Sequence, residues 1–168
     1  MRYKDQRIGI LIDVQNLYHS AKNLYHGRVN YRELIKNLVS GRHLIRALGY
    51  VVKSEPTELT GESSFFEALE NAGVDLRMKD LQIFPGGAKK ADWDVGMAVD
   101  AIRMADFLDV IILATGDGDF IPLVEYLKWG KGRIVEVAAF GKTTSSKLRE
   151  AADTFIDLEK MPKILLKK

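Results

Sequence analysis

The stretch Asp109-Val-Ile-Ile-Leu-Ala-Thr-Gly-Asp-Gly-Asp-Phe120 constrains this chain more than any other. Five apolar residues, Val110 to Ala114, run unbroken into Thr115-Gly-Asp-Gly-Asp119. A short apolar run that ends on turn residues reads as a strand buried on both faces, the kind found in parallel sheets covered by helices. Gly116 and Gly118 suit a tight turn, and Pro122 suits the first turn of a helix that follows it. Asp117 and Asp119 therefore stand just past the carboxyl end of a central strand, where open α/β sheets bind ligands. Carboxylates crowded at such a place repel one another and are stabilised by a shared cation.

The rest of the chain repeats the pattern. Arg7-Ile-Gly-Ile-Leu-Ile-Asp13 reads as the first strand. Further strands are expected at His43 to Lys53, within Val74 to Phe84 with a turn at Lys79-Asp80, at Ile134 to Ala138 and at Phe155 to Leu158. Helices are expected from Asn16, where Leu17, Ala21 and Leu24 share a face, and from the capping box Asn30-Tyr-Arg-Glu33 through Ser40, with Gly41 beyond its end. Others are expected at Ser63 to Asn71, stopped by Gly73, after Pro122 to about Trp129, and at Ser145 to Ala152. Asp92 reads as the N-cap of a helix through Ala105, with Val95, Ala98, Val99, Ile102 and Ala105 as its apolar stripe. Thr57 to Glu62 reads as a polar turn, and Pro85-Gly-Gly-Ala-Lys-Lys90 as the most loop-like stretch. Strands alternating with helices imply parallel βαβ units and a three-layer α/β fold.

Length and composition narrow the class. The 168 residues suit one domain, read here as residues 1–158, followed by a basic tail, residues 159–168, free to fray. The absence of cysteine excludes disulfides, thiolate metal sites and cysteine nucleophiles, and fits a reducing, cytoplasmic setting. The first apolar run is too short and too interrupted for a signal peptide or a membrane span, so no membrane partner is expected. A net charge of +2 neither demands nor excludes nucleic acid. No P-loop and no dinucleotide-binding glycine motif follows the first strand. The phosphatase pattern of the haloacid dehalogenase type needs an acid two residues after Asp13, where this chain has Gln15.

Three acidic groups fall at corresponding places. Asp13 ends the first strand, Asp92 and Asp94 open a helix, and Asp117 and Asp119 follow the strand at 109–114. Singly, each reads as a cap or turn residue. Together they converge on one edge of a parallel sheet, where helix N-termini also favour phosphate. Asp13 interrupts an apolar strand that Asp disfavours, and Asp117 repeats that placement on a second strand. Such a cradle suits Mg²⁺ or Mn²⁺ holding a phosphodiester. Lys89 and Lys90 are placed to contact phosphates, and Arg133, Lys142, Lys147, Arg149 and the hydroxyls of Thr143 to Ser146 to extend a basic, polar rim. Trp93 reads either as a base-stacking residue or as one packed on the sheet. His19, His26 and His43 lack ligand spacing.

Three motifs resemble one family. Ile12-Asp-Val-Gln-Asn16, Lys90-Ala-Asp-Trp-Asp-Val-Gly-Met-Ala-Val-Asp100 and Thr115-Gly-Asp-Gly-Asp-Phe120 resemble, in order, the signatures of the NYN domain, a branch of the PIN-like nucleases, and are closest to its LabA-like bacterial group. The chain has Ala91-Asp92 where that family often has glycine and an aliphatic residue. The resemblance implies a Rossmann-like, PIN-like fold and a metal-dependent ribonuclease site. It implies that Asp13, Asp94 and Asp117 bind metal with Asp119 as a fourth acid, that Asn16 orients Asp13 or contacts substrate, and that Thr115 hydrogen-bonds within the site. Asp100 also matches, but six residues on a helix turn it about 120° from Asp94, towards the cavity floor or a buried network.

The function expected is hydrolysis of RNA by an acidic cluster with Mg²⁺ or Mn²⁺. No Cys or His is placed to form a covalent intermediate. The alternative is a non-catalytic regulatory module of the same fold that binds RNA or a protein. Phe65, Phe66 and the apolar residues of the tail leave room for a homodimer or a protein partner.

Overall fold

A computed structural model describes residues 2–53, 62–80, 82–83, 85–86, 89–90 and 92–166. The elements follow in the order β1 (Arg7–Asp13), α1 (Val14–Tyr25), β2 (Arg28–Val29), α2 (Tyr31–Val39), β3 (His43–Lys53), α3 (Glu62–Asn71), β4 (Asp75–Asp80), β5 (Gln82–Ile83), β6 (Lys89–Lys90), α4 (Asp94–Met104) and β7 (Val110–Ala114). A one-turn 3₁₀ segment, Gly118–Phe120, leads into α5 (Ile121–Glu125) and a π-helical turn, Tyr126–Gly130. Then come β8 (Ile134–Ala139), α6 (Ser146–Ala151), β9 (Thr154–Asp157) and β10 (Leu165–Leu166).

Six strands form one parallel sheet in the order β4-β3-β1-β7-β8-β9. Numbered among themselves along the chain, they run 3-2-1-4-5-6, the doubly wound order. The winding reverses between β1 and β7, which pair from Ile8↔Val110 to Ile12↔Ala114. Every residue of β7 is buried, as its apolar run requires. Ile8, Ile10 and Ile12 face the layer of α1, α2 and α3, whereas Leu11 and Ile111 face that of α4, α5 and α6. This is the three-layer α/β fold expected.

The differences from the sequence reading are local. Helix α1 starts at Val14 rather than Asn16, because the Asp13 carboxylate accepts the Asn16 amide and caps it. In α4 the expected apolar stripe holds only in part: Ala105 is buried and Ala98 packs against the core, but its three large members face outward. Met97, Ala101 and Met104 are buried, while Val95, Val99 and Ile102 are exposed. Lys79 and Asp80 continue β4 in register with Val52 and Lys53 instead of turning. Lys89 and Lys90 are not in a loop but form β6, antiparallel to β5. The turn expected at Thr57 to Glu62 falls outside the described residues up to position 61, and Glu62 opens α3. The tail is packed rather than frayed as far as residue 166: Met161 and Ile164 are buried, and β10 pairs with β2. Its apolar residues outweigh its lysines.

Candidate metal and phosphodiester site

The switch point between β1 and β7 is where the chain gathers its acids. Asp13 ends β1 and starts α1, so backbone geometry alone delivers its carboxylate to the crevice. One oxygen accepts the Asn16 amide at 3.3 Å and the other accepts the Thr115 hydroxyl at 2.9 Å. Thr115 ends the buried run of β7 and is itself fully buried. Its hydroxyl oxygen also accepts the Asp117 amide at 3.2 Å. The Asn16 side-chain oxygen accepts the Gly116 amide at 2.9 Å. The first helix and the turn after β7 are thus laced together across the switch point.

Asp117 folds over its own turn and accepts the Asp119 amide at 2.9 Å. Neither Gly116 nor Gly118 adopts left-handed backbone. Their value is close approach. A Cβ on Gly116 would lie 2.9 Å from the Thr144 hydroxyl oxygen and 3.2 Å from the Thr143 carbonyl oxygen, and one on Gly118 would lie 3.0 Å from the Ser145 hydroxyl oxygen. The loop after β8 therefore packs directly on the acidic turn. Asp94 enters from the first turn of α4. Its amide is accepted by Asp92 at 3.2 Å, so Asp92 caps one position earlier than expected, with Trp93 as the residue flanking the helix.

Carboxylate oxygens from Asp94, Asp117 and Asp119 lie within 4.8 Å of one another. Asp13 stands outside that triad but lines the same cleft of about 480 Å³, with Asp92, Asp94 and Asp117. Partial burial first, and then the charges of Asp117, Asp92, Asp13 and Asp119, push the Asp94 carboxyl up to about 6. Burial also raises Asp13, its hydrogen bonds from Thr115 and Asn16 pull it back, and Asp117 and Asp92 add to the rise. These groups are strained as anions by one another. Hard oxygen donors in that state fit a hard divalent cation such as Mg²⁺ or Mn²⁺.

The family model for the NYN domain matches residues 7–159. The chain belongs to the NYN domain family. That family is generally one of nucleases. This NYN domain is 27% identical over 167 residues to the low amplitude and bright protein LabA of Synechococcus elongatus, an alignment covering 94% of this chain and 87% of that one. Its fold is shared by the crystal structure of VPA0982, a protein of unknown function from Vibrio parahaemolyticus, at a TM-score of 0.86 and 30% identity, covering 99% of this chain and all of the other. Among the described residues, no helix is long and apolar enough to cross a membrane.

Other residues expected near the NYN cleft are distributed unevenly. Asp100 is buried beneath it, accepting the Tyr50 hydroxyl at 2.8 Å and pairing with Arg77 at 3.4 Å. Trp93 lines the cleft but is anchored to the sheet, its indole N–H donating to the Val51 carbonyl at 2.9 Å. Lys89 and Lys90 sit on the β5–β6 hairpin that precedes Asp92. Arg133 lies at the opposite, amino-terminal edge of the sheet, donating to the Ala105 carbonyl, and does not belong to the rim. Of the loop hydroxyls, Thr143 lines the cleft, whereas Thr144 donates to Phe140 and Ser145 caps α6. Asn16 lines the cleft as expected, but the sequence reading missed the rest of that polar edge of α1, where Ser20 and Asn23 line the cleft beside His19. The signal was present: spacings of four and three put these residues on one helical face, away from Leu17 and Ala21.

Proposed function

We propose that this chain is a divalent-metal-dependent endoribonuclease that hydrolyses RNA phosphodiester bonds at the β1–β7 switch point. One observation carries the reading: acids from segments far apart in the chain meet where a doubly wound sheet binds its ligand. Asp94, Asp117 and Asp119 hold the cation, Mg²⁺ or Mn²⁺, with Asp13 as the fourth acid. A carboxylate has about four acceptor sites, so the bonds from Thr115 and Asn16 leave Asp13 capacity for a cation or a water. When bound, the cation supplies the charge that lets a phosphate anion approach these carboxylates and the Lewis acidity that its hydrolysis needs.

The chain's own groups do the positioning. Thr115 holds Asp13 and the Asp117 amide at once, and Asn16 fixes the turn through Gly116. Asp94, raised to about 6 by burial and its acidic neighbours, is still largely ionised at neutral pH and would serve as a carboxylate ligand. Asn16, Asn23 and Thr143 offer neutral hydrogen bonds to the phosphate backbone, and Lys89 and Lys90 supply positive charge from the hairpin.

The test is cleavage of an end-labelled single-stranded RNA of mixed sequence with Mg²⁺, Mn²⁺ or EDTA, beside Asp117→Asn. Internal cleavage that needs the metal and is lost in the variant is the expected result. Cleavage by Asp117→Asn at the wild-type rate refutes the site. Metal binding at the acids without cleavage would instead favour a non-catalytic regulatory module binding RNA or a protein.

A further inference from the structure

A second cavity adjoins the acidic cleft and differs from it in chemistry. It is a groove of about 740 Å³, within the size range of about 300–1,000 Å³ that ordinarily holds small ligands, and its lining is mainly apolar. It shares Gln15 and His19 with the acidic cleft, so the two form a continuous depression along α1. Tyr18, Tyr31, Phe65 and Phe66 line it. Phe65 meets Tyr18 and Tyr31 edge to face, each at 6.1 Å between ring centroids. Arg28 stands exposed at its margin.

Tyr31 is the feature that calls for a ligand. It is only 6% exposed, yet its hydroxyl is buried with no hydrogen-bond partner among the described residues. Buried hydroxyls are nearly always paired, because an unpaired one forfeits its bonds to water. Burial, and then the Asp13 charge, raise the Tyr31 phenol far above its ordinary value, so it remains a neutral donor throughout the pH range in which proteins work. An aromatic, mainly apolar groove edged by a few hydrogen-bonding groups suits a flat heteroaromatic ring with polar edges.

We infer that this groove is a nucleobase pocket, in which Tyr18 and Phe65 pack against an unstacked base of single-stranded RNA, Tyr31 hydrogen-bonds its edge and Arg28 contacts the adjoining phosphate. The inference rests on the ribonuclease reading for its ligand class, and it supplies base selectivity that the acidic cleft cannot, since phosphate contacts carry no sequence information.

The test is equilibrium binding in EDTA, so that no cleavage intervenes, of fluorescently labelled hexamers of adenosine, cytidine and uridine and of an abasic ribose-phosphate hexamer. The full chain is compared with Tyr31→Phe and Phe65→Leu. The abasic strand is expected to bind about tenfold more weakly than the preferred base, and the three bases to differ by about fivefold or more. Tyr31→Phe should narrow that spread without lowering the thermal midpoint, because in the free protein it removes only an unpaired hydroxyl. Phe65→Leu should weaken all base-bearing strands towards the abasic value. Equal binding of abasic and base-bearing strands overturns the inference, as does an unchanged spread in Tyr31→Phe. Base discrimination by a protein that never cleaves RNA refutes the nuclease reading alone. Metal-dependent cleavage with no base discrimination refutes the pocket alone.

Discussion

Asn16 and Gly116 are joined by a 2.9 Å hydrogen bond from the Gly116 amide to the Asn16 side-chain oxygen. This bond fixes the distance between the helix that follows β1 and the turn that follows β7. Asn16→Ala leaves the Gly116 amide without that partner and frees the turn that carries Asp117. A stability loss of about 1–3 kcal/mol is expected from the unpaired group. RNA cleavage should fall by more than that loss explains, by about tenfold or more at temperatures where the variant is fully folded, because displacement of a site group by about 1 Å is costly. Urea denaturation and initial cleavage rates measure the two effects. Unchanged cleavage in Asn16→Ala would show that the link has no part in shaping the site.

Asp94 makes stability depend on pH in a direction opposite to most paired carboxylates. Its folded value, about 6, lies above the ordinary value of 3.8, so the folded chain binds this proton more tightly than the unfolded chain. Its contribution therefore declines as pH rises through that window, and the electrostatic penalty is complete above it. Asp13 acts in the same direction, whereas Asp109, held low by Arg7, acts in the other. The informative comparison is the difference between wild type and Asp94→Asn in the absence of metal. The variant should gain thermal stability over wild type at about pH 7.5 but not at about pH 4. Added Mn²⁺ should raise the wild-type midpoint at the higher pH and raise that of Asp94→Asn much less. Parallel pH profiles for the two proteins would remove Asp94 from the electrostatic cluster.

Much of the candidate site's placement could be read from residue order because its acids are tied to backbone features that leave local marks. A buried strand ending in Thr-Gly-Asp-Gly-Asp and another ending in Asp place three carboxylates at the carboxyl edge of the sheet with no knowledge of packing. What could not be read depends on which layer a face meets. Val95, Val99 and Ile102 look as suitable for the core as Met97, Ala101 and Met104, and only docking on the sheet separates them. Likewise Asp92 and Trp93 compete to start α4, and the outcome turns on the Trp93 indole bonding to β3. The Tyr31 hydroxyl left no mark at all, since its lack of a partner is a property of the folded surroundings.

Asp100 separates a structural acid from the site acids. It carries the family signature but spends its oxygens on the Tyr50 hydroxyl, Arg77 and, at 3.9 Å, Arg103. Asp100→Asn keeps an acceptor for Tyr50 and loses ion pairs whose basic partners are exposed, worth about 0–1 kcal/mol each. Asp100→Ala leaves the Tyr50 hydroxyl unpaired and should cost about 1–3 kcal/mol. Cleavage by Asp100→Asn should remain within about threefold of wild type, a change well under the tenfold that about 1.4 kcal/mol of barrier would produce. Abolished cleavage in a fully folded Asp100→Asn would place this residue among the catalytic acids instead.

The most destabilising single change expected lies far from the cleft. Glu136 is fully buried in β8 and takes two bonds from Arg42, at 2.9 and 3.1 Å. Arg42 cannot follow a lost partner into water, because it also donates to the Leu38 and Val39 carbonyls at the end of α2. Glu136→Gln keeps one acceptor for Arg42 but leaves a buried guanidinium with its charge uncompensated, and a loss of about 3–5 kcal/mol is expected. Glu136→Asp keeps the charge but shortens the reach, so it should lose part of that amount. Urea midpoints at constant slope measure both. Metal affinity per folded molecule should be unchanged, since none of these groups lines the cleft. A loss below about 1 kcal/mol for Glu136→Gln would mean that water or a neighbour, rather than Glu136, satisfies Arg42.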